Sequence, residues 1–305
     1  MRNEDLVVKQ QLSLQEKIAF SKKMIRQFYE TLNGQVYISF SGGKDSTVLL
    51  DIVRQEYPDV EAVFSHTGLQ FPMIREFVKT VENVTWIKPK MTFLQVIEKH
   101  GYPVISKEQA TYIREYRTTK SEYLKKVRWN GKLDKKGVRR FKISEKWKFL
   151  VNAPFKISEQ CCDELKKKPF KIFEKKSGLR PFLGTMAVDS RLRWKNYLET
   201  GCNDFHRAKG PVSKPLGFWR EEDIWQYIKS KKLPYCKIYD CGAKRTGCIF
   251  CLFGIHLEEE SRFALLKKIE PKLYRYCMDT LGIKKVLEYI GYNYNQEKLL
   301  SIGRN

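Results

Sequence analysis

No apolar stretch of this 305-residue chain approaches the ~20 residues needed to cross a bilayer, so membrane-spanning functions drop out at once. The opening residues Met1-Arg2-Asn3-Glu4-Asp5 lack a signal-peptide pattern. The eight cysteines are grouped as ligands would be, without secretion signals, and together these features lead us to expect a reducing, cytoplasmic setting. Internal repeats and low-complexity tracts are absent as well, which excludes solenoids and disordered linkers. Acidic residues are in short supply: 35 Asp and Glu face 58 Lys and Arg, a formal charge of +23 that favours polyanionic partners. What remains, 42% hydrophobic and 13% aromatic residues, suffices for a substantial core.

The most informative run is Ser41-Gly42-Gly43-Lys44-Asp45-Ser46-Thr47. It lies between an apolar strand, Val36 to Phe40, and an amphipathic helix carrying Val48, Leu49, Leu50, Ile52 and Val53 that ends near Tyr57-Pro58. Two glycines let the backbone approach an anion, the helix start offers unpaired N–H groups at its positive end, and Lys44 adds a point charge. Asp45 and Ser46 are placed to hold a metal ion or a water against phosphates. An ordinary strand-to-helix turn can carry the same residues, and the spacing is not that of a Walker loop, which has four residues between its first Gly and the Gly-Lys pair. With its flanks, the string resembles the PP-loop of ATP pyrophosphatases, which cleave ATP between the α- and β-phosphates.

Cysteines give the second signal: Cys161-Cys162, then Cys248-Ile249-Phe250-Cys251. Two pairs make a four-thiolate set suited to zinc or an iron-sulfur cluster. Adjacent cysteines are awkward for a zinc finger, whose paired ligands are separated, and this favours a cluster; four buried inert thiols are the plainer reading.

Cys161-Cys162-Asp163-Glu164-Leu165-Lys166-Lys167-Lys168-Pro169 resembles the Cys-Cys-x-x-x-Lys-x-x-Pro segment of assimilatory adenylyl-sulfate reductases, in which a later Cys-x-x-Cys completes a 4Fe-4S site. Thr67-Gly68-Leu69-Gln70-Phe71-Pro72 is similar to that family's Asp-Thr-Gly stretch, with His66 in place of Asp. Gly184 to Arg193 resembles its Gly-x-Arg-x-x-x-Ser-x-x-Arg region, with Met186 where Arg is common, so that Arg191 or Arg193 is expected to take over the anion contact. Pro215-Leu216, Trp219, Asp223 to Ile228 and Leu233-Pro234-Tyr235 match further blocks, and the likeness to phosphoadenylyl-sulfate reductases covers roughly residues 35 to 255. The resemblance implies an α/β fold of the Rossmann-like, adenine nucleotide alpha hydrolase-like kind, with a parallel sheet and helices on both faces. It also implies an adenine nucleotide bound by Ser41, Gly42, Gly43, Thr47, Thr67, Gly68, Gly184, Ser190, Arg191 and Arg193, with Lys44, Asp45 and Ser46 acting on the phosphates and Cys161, Cys162, Cys248 and Cys251 on the cluster, near Lys166.

Two departures bear on the reaction. Reductases usually carry an altered loop, whereas Ser-Gly-Gly-Lys-Asp-Ser is intact here, and their nucleophilic tail cysteine has no counterpart in Leu299 to Asn305. Cys277 is the one cysteine beyond the Cys-x-x-Cys, in an apparent helix; Cys241 is a secondary ligand candidate, and Cys202 and Cys236 are unassigned. The combination resembles the chemistry of DNA phosphorothioation enzymes and cluster-dependent tRNA thiolases: ATP with Mg2+ adenylates an oxygen, and sulfur from a donor protein displaces AMP. The expectation is therefore ATP-dependent sulfur transfer to DNA or RNA. The alternative is reduction of adenylyl sulfate, or its 3'-phosphorylated form, to sulfite.

Between Arg114 and Lys148 lie Arg117, Lys120, Lys125, Lys126, Arg128, Lys132, Lys135, Lys136, Arg139, Arg140, Lys142 and Lys146, interleaved with Tyr116, Tyr123, Trp129, Phe141 and Trp147. Cations on phosphates and rings on bases would make this a nucleic-acid-binding insertion; a solvated lysine-rich excursion with its aromatics on the core fits equally. The expected layout is a domain over residues 1–257, with the basic insertion at about 102–160 and turns at Asn130-Gly131 and Lys136-Gly137, followed by a helical extension over 258–305. Helices are expected over Ser13 to Leu32, Met73 to Val81, Thr92 to His100 and Glu221 to Lys231. Strands are expected over Glu61 to His66, Val84 to Ile87 and Arg180 to Met186, with two helices split by Gly282 at the end.

Overall fold

The computed structural model describes residues 3–258 and 261–294. Its helices are α1 (Asn3–Gln11), α2 (Leu14–Thr31), α3 (Lys44–Glu56), α4 (Pro72–Lys79), α5 (Phe93–His100), α6 (Lys107–Thr118), α7 (Glu122–Asn130), α8 (Lys168–Ser177), α9 (Arg191–Thr200), α10 (Glu221–Lys231), α11 (Arg262–Ile269), α12 (Pro271–Arg275) and α13 (Ile283–Tyr289). The strands are β1 (Val36–Phe40), β2 (Ala62–Ser65), β3 (Val84–Ile87), β4 (Val104–Ile105), β5 (Lys132–Leu133), β6 (Arg139–Arg140), β7 (Arg180–Leu183), β8 (Asn203–Asp204), β9 (Val212–Ser213) and β10 (Leu252–Phe253).

Six strands form one sheet in the order β3-β2-β1-β7-β9-β8, parallel throughout except for the edge strand β8. The strand alternation decides which layer each side chain meets. Tyr37 faces α8, its ring 5.1 Å from Phe173 and 6.1 Å from Phe170. On the opposite face Phe182, the register partner of Ile38, meets Phe28 of α2 at 5.2 Å. Both faces are thus covered at the centre, where β1 and β2 read as largely apolar, buried runs, as parallel strands covered on both sides do. This is the expected α/β arrangement, a mainly parallel sheet with helices on both faces.

Local chemistry sets the helix ends. Ser13 and Glu16 close a capping box at the start of α2. Thr92 and Gln95 do the same for α5. Helix α3 stops at Tyr57, since the residue before Pro58 is pushed out of the helical region. Lys17 of α2 reaches Asp223 at the start of α10 with both carboxylate oxygens at 2.7 Å, clamping the layer on that face. Among the described residues no helix is long and apolar enough to cross a membrane.

Residues 102–160, expected as a basic insertion, join the rest of the chain where β4 pairs in parallel with β10 immediately after Cys251, and close on themselves where Tyr102 bridges to Ile157. The described residues of the C-terminal stretch form three helices where two were expected, because Pro271 restarts the chain after Glu270 and α12 widens into a π-helical turn at Tyr276–Thr280. Leu299 to Asn305, the stretch without the reductases' tail cysteine, lie outside the described residues.

Candidate functional site

The loop from Phe40 to Lys44 joins the carboxyl end of β1 to α3, where open α/β sheets bind ligands. Gly42 turns with φ 71°, and a Cβ there would press on Val78 and Ile74 at 2.8 and 2.9 Å. Gly43 leaves room for Thr246, whose hydroxyl would lie 2.5 Å from a Cβ at that position. The hydroxyls lock the turn from inside. Ser46 Oγ donates to Gly43 O at 2.8 Å and accepts from Ser41 N–H at 3.2 Å, while Thr47 Oγ1 donates to the same carbonyl at 3.1 Å. Ser46 therefore braces the loop. The end of β7 completes the wall: Gly184 packs against Asp45 and Ser46, where a Cβ would meet backbone at 3.1–3.2 Å.

Lys44 is 5% exposed, with its ammonium 3.0 Å from Asp45 Oδ1 and 3.3 Å from Glu221 Oε1. Burial pushes its pKa down, but the charge and hydrogen bond of Asp45 and the charge of Glu221 outweigh burial and hold it above the usual lysine value. Burial raises the Asp45 carboxyl against the pull of Lys44, with Asp189 and Glu221 adding to the rise. The backbone N–H of Lys44 donates to the Tyr239 hydroxyl at 2.9 Å. Glu221, Tyr239 and Thr246 carry no motif that marks them in the sequence.

After β2, Thr67 is buried and its hydroxyl accepts from Leu69 N–H at 3.2 Å. Gly68 lies beside it on the rim of a pocket of about 390 Å³ that also takes in His66, Lys88 and Phe250. His66 meets Trp86 edge-on at 5.8 Å, and burial followed by the charges of Arg75 and Lys88 lowers its pKa. Met186 is buried, and Ser190 caps α9 by accepting from Arg193 N–H at 3.3 Å. Arg193 is paired with Asp189. Arg191 is exposed at the start of α9, and no ion pair engages it among the described residues. Of the two arginines expected to meet an anion, Arg191 is thus the one left available.

The four cysteines converge from two segments. Cys161 and Cys162 open the π-helical turn that leads into α8. Cys248 and Cys251 sit on the loop before β10, anchored by Ile249 N–H to Leu69 O at 2.9 Å and by the Arg262 guanidinium to Cys251 O at 3.0 Å. The Cys161–Cys162 hydrogen bond is the largest influence on both thiols: it raises Cys161, which burial and the other cysteines raise further, and lowers Cys162 to about 5, with help from Lys107 and Lys166. Burial, then the charge of Cys248, pushes Cys251 up to about 11. Lys166 is raised chiefly by Cys248, with which it also hydrogen-bonds. Phe253 N–H donates to Cys251 Sγ at 3.4 Å.

Cationic and N–H donors around mutually repelling thiols are what a thiolate-bound metal group requires. Among the described residues no three His, Cys, Asp or Glu side chains converge closely enough to hold one metal ion. The donor set, four thiols with Lys107 and Lys166 beside them, suits either a zinc ion or an iron-sulfur cluster. A four-iron cluster binds each thiolate to a separate iron, so it requires only that the four surround a common volume. Cys202, Cys236 and Cys277 are buried elsewhere, and Cys241 is exposed.

The basic segment divides. Trp147 is buried, and Tyr116 packs on Trp129 at 5.3 Å, which leaves Tyr123 and Phe141 as its exposed rings. Arg114 pairs with Glu159 beyond the segment, and Arg128 with Glu115, Arg140 with Asp134 and Lys125 with Glu122 within it, so part of the charge is already paired. Among the described residues Lys120, Lys126, Lys135 and Lys136 form no ion pair.

The sequence pattern of the phosphoadenosine phosphosulfate reductase domain matches residues 35–252. An uncharacterized protein of Methanocaldococcus jannaschii is 26% identical over 269 residues; the match covers 86% of this chain but 52% of that protein, so the chain spans about half its length. An adenosine 5'-phosphosulfate reductase of Staphylococcus epidermidis is 26% identical over 254 residues, covering 83% of this chain and 84% of that one. A phosphoadenylyl-sulfate reductase structure from Candida auris aligns over 81% of this chain and 96% of its own, with 16% identity and a TM-score of 0.45.

Proposed function

The chain belongs to the phosphoadenosine phosphosulfate reductase domain family, and from that premise we propose that it is an ATP-dependent sulfur-transfer enzyme acting on nucleic acid. The carrying observation is the intact loop: a glycine pair braced by Ser46 and Thr47 at the start of α3, with a nearly buried, charged Lys44 beside it. That arrangement suits an anion with several oxygens, bound by N–H groups and a point charge.

In the proposed reaction an acceptor oxygen attacks the α-phosphate of ATP. The bond to the β-phosphate breaks and pyrophosphate leaves, its growing charge offset by the Lys44 ammonium. Sulfur from a donor protein at the sulfide level then attacks the adenylated carbon or phosphorus, and AMP departs with the original oxygen. Asp45 and Ser46 hold Lys44 and the loop in register; Thr67, Gly68, Gly184, Ser190 and Arg191 line the nucleotide side. Mg2+ would sit with the phosphates near Asp45. Cys161, Cys162, Cys248 and Cys251 would hold a 4Fe-4S cluster, which when bound supplies a place to hold or deliver sulfur. Lys107 and Lys166 offset the negative charge of those thiolates.

A second reading, reduction of adenylyl sulfate to sulfite, is favoured by the Staphylococcus epidermidis relative, whose own length is matched over 84%. Anaerobic purification separates the two. The proposal expects brown protein with about four irons per chain that forms AMP and pyrophosphate from ATP only when nucleic acid is present. Colourless protein with one zinc would remove the cluster, and ADP with orthophosphate would remove the loop assignment.

A further inference from the structure

The segment that carries Cys248 also reaches back over the phosphate loop. Lys237–Tyr239 forms a short turn beneath Trp225 of α10, whose ring meets Tyr235 and Tyr239 edge-on at 5.4 Å each. From there the Tyr239 hydroxyl takes the Lys44 N–H at 2.9 Å and lies 3.3 Å from Thr246 Oγ1. Thr246 fills the space that Gly43 leaves open. A hydroxyl oxygen on the first N–H of a helix occupies the position that a phosphate oxygen takes at such a site. The Lys44 ammonium is likewise satisfied internally, by Asp45 and Glu221. The partners of the loop backbone, Tyr239 on the Lys44 N–H and Thr246 against Gly43, thus come from the cysteine-bearing segment, while those of the Lys44 ammonium come from α3 and α10.

We infer that Tyr239 and Thr246 plug the phosphate site, and that nucleotide phosphates must displace them to bind, moving the segment that runs into Cys248. This rests on the loop being the ATP site. Thr246 precedes Cys248 by one glycine, and the next residue, Ile249, is pinned to Leu69 on the loop after β2, so displacement at Tyr239 is passed to the thiol set over a very short path. Linkage makes the effect reciprocal: whatever stabilises the closed segment weakens ATP, and ATP loosens the segment.

The test is equilibrium binding of Mg-ATP to cluster-loaded wild type and to Tyr239→Phe, with amide hydrogen exchange over residues 239–247. Removing the hydroxyl leaves the ring in place and deletes the competitor, so affinity should tighten about fivefold, the worth of one net hydrogen bond. ATP should speed exchange in the wild-type segment. Equal affinities with exchange unmoved by ATP would overturn the plug. Weaker binding by Tyr239→Phe would also overturn it, by making the hydroxyl a phosphate ligand. If neither protein binds ATP, the ATP-site reading falls and takes the plug with it; if both bind equally, the plug alone falls.

Discussion

The phosphate loop and the basic segment are both rich in features that suggest anion binding, yet they are built in opposite ways. In the loop a single cation, Lys44, is 5% exposed and held by two carboxylates, and the anion-binding role we propose for it falls on backbone N–H groups. In the basic segment fourteen cations from Arg114 to Lys148 are visible in the sequence, but its arginines at 114, 128 and 140 are tied to Glu159, Glu115 and Asp134. The lesson is that charge counted along a sequence overstates a binding surface, because a structure spends part of it on itself, whereas a short loop between a strand and a helix understates one.

The largest effect should come from Lys44→Ala. Losing a positioned cation from a charge-stabilising site costs on the order of 10²–10³ in turnover, read as pyrophosphate released per unit time; an unchanged rate would put the basic segment ahead of the loop. Arg128→Ala should act on stability instead. Its guanidinium lies 2.7 Å from Glu115 and 4.2 Å from the Tyr112 ring centroid, so thermal unfolding should report a loss of roughly 1–3 kcal/mol with no change in ATP affinity.

Replacing Lys120, Lys126, Lys135 and Lys136 together by Ala should leave unfolding unmoved and flatten the salt dependence of DNA or RNA binding. Every phosphate that the variant no longer neutralises should take roughly 0.7–0.9 off the log-log slope. A slope equal to wild type would make the segment a solvated face.

The smallest effect concerns pH. Burial lowers the pKa of His66, His100 and His256 below the usual 6.5. On acidification the unfolded chain takes up protons that the folded one resists, so stability should decline as pH falls through 6.5 and below. A melting temperature rising over that range would contradict the sign.

Much of the fold was legible. Val84–Ile87 and Glu221–Lys231 have the bounds that periodicity suggested, and β1 and α3 flank the loop as the apolar pattern required. Helix α1 was not foreseen, since Asn3–Gln11 has little amphipathic contrast and is fixed by packing Leu6 into the core. The split at Pro271 was readable in principle; the π-helical turn after it was not, as it depends on tertiary packing of Cys277 and Met278. At the candidate site, residues contiguous in sequence were visible as motifs. Tyr239 was not, because it meets Lys44 across 195 positions and nothing local marks it. Lys107 likewise reaches Cys162 only through the fold.

The central claim, that this loop cleaves ATP in service of sulfur transfer, is tested most directly by offering cluster-loaded protein two substrates in parallel. One reaction contains ATP labelled at the α-phosphate with nucleic acid and a sulfide source; the other contains adenylyl sulfate with a thioredoxin-like reductant. The account predicts labelled AMP and pyrophosphate in the first and no sulfite in the second. Sulfite from adenylyl sulfate, with ATP left intact, would contradict it.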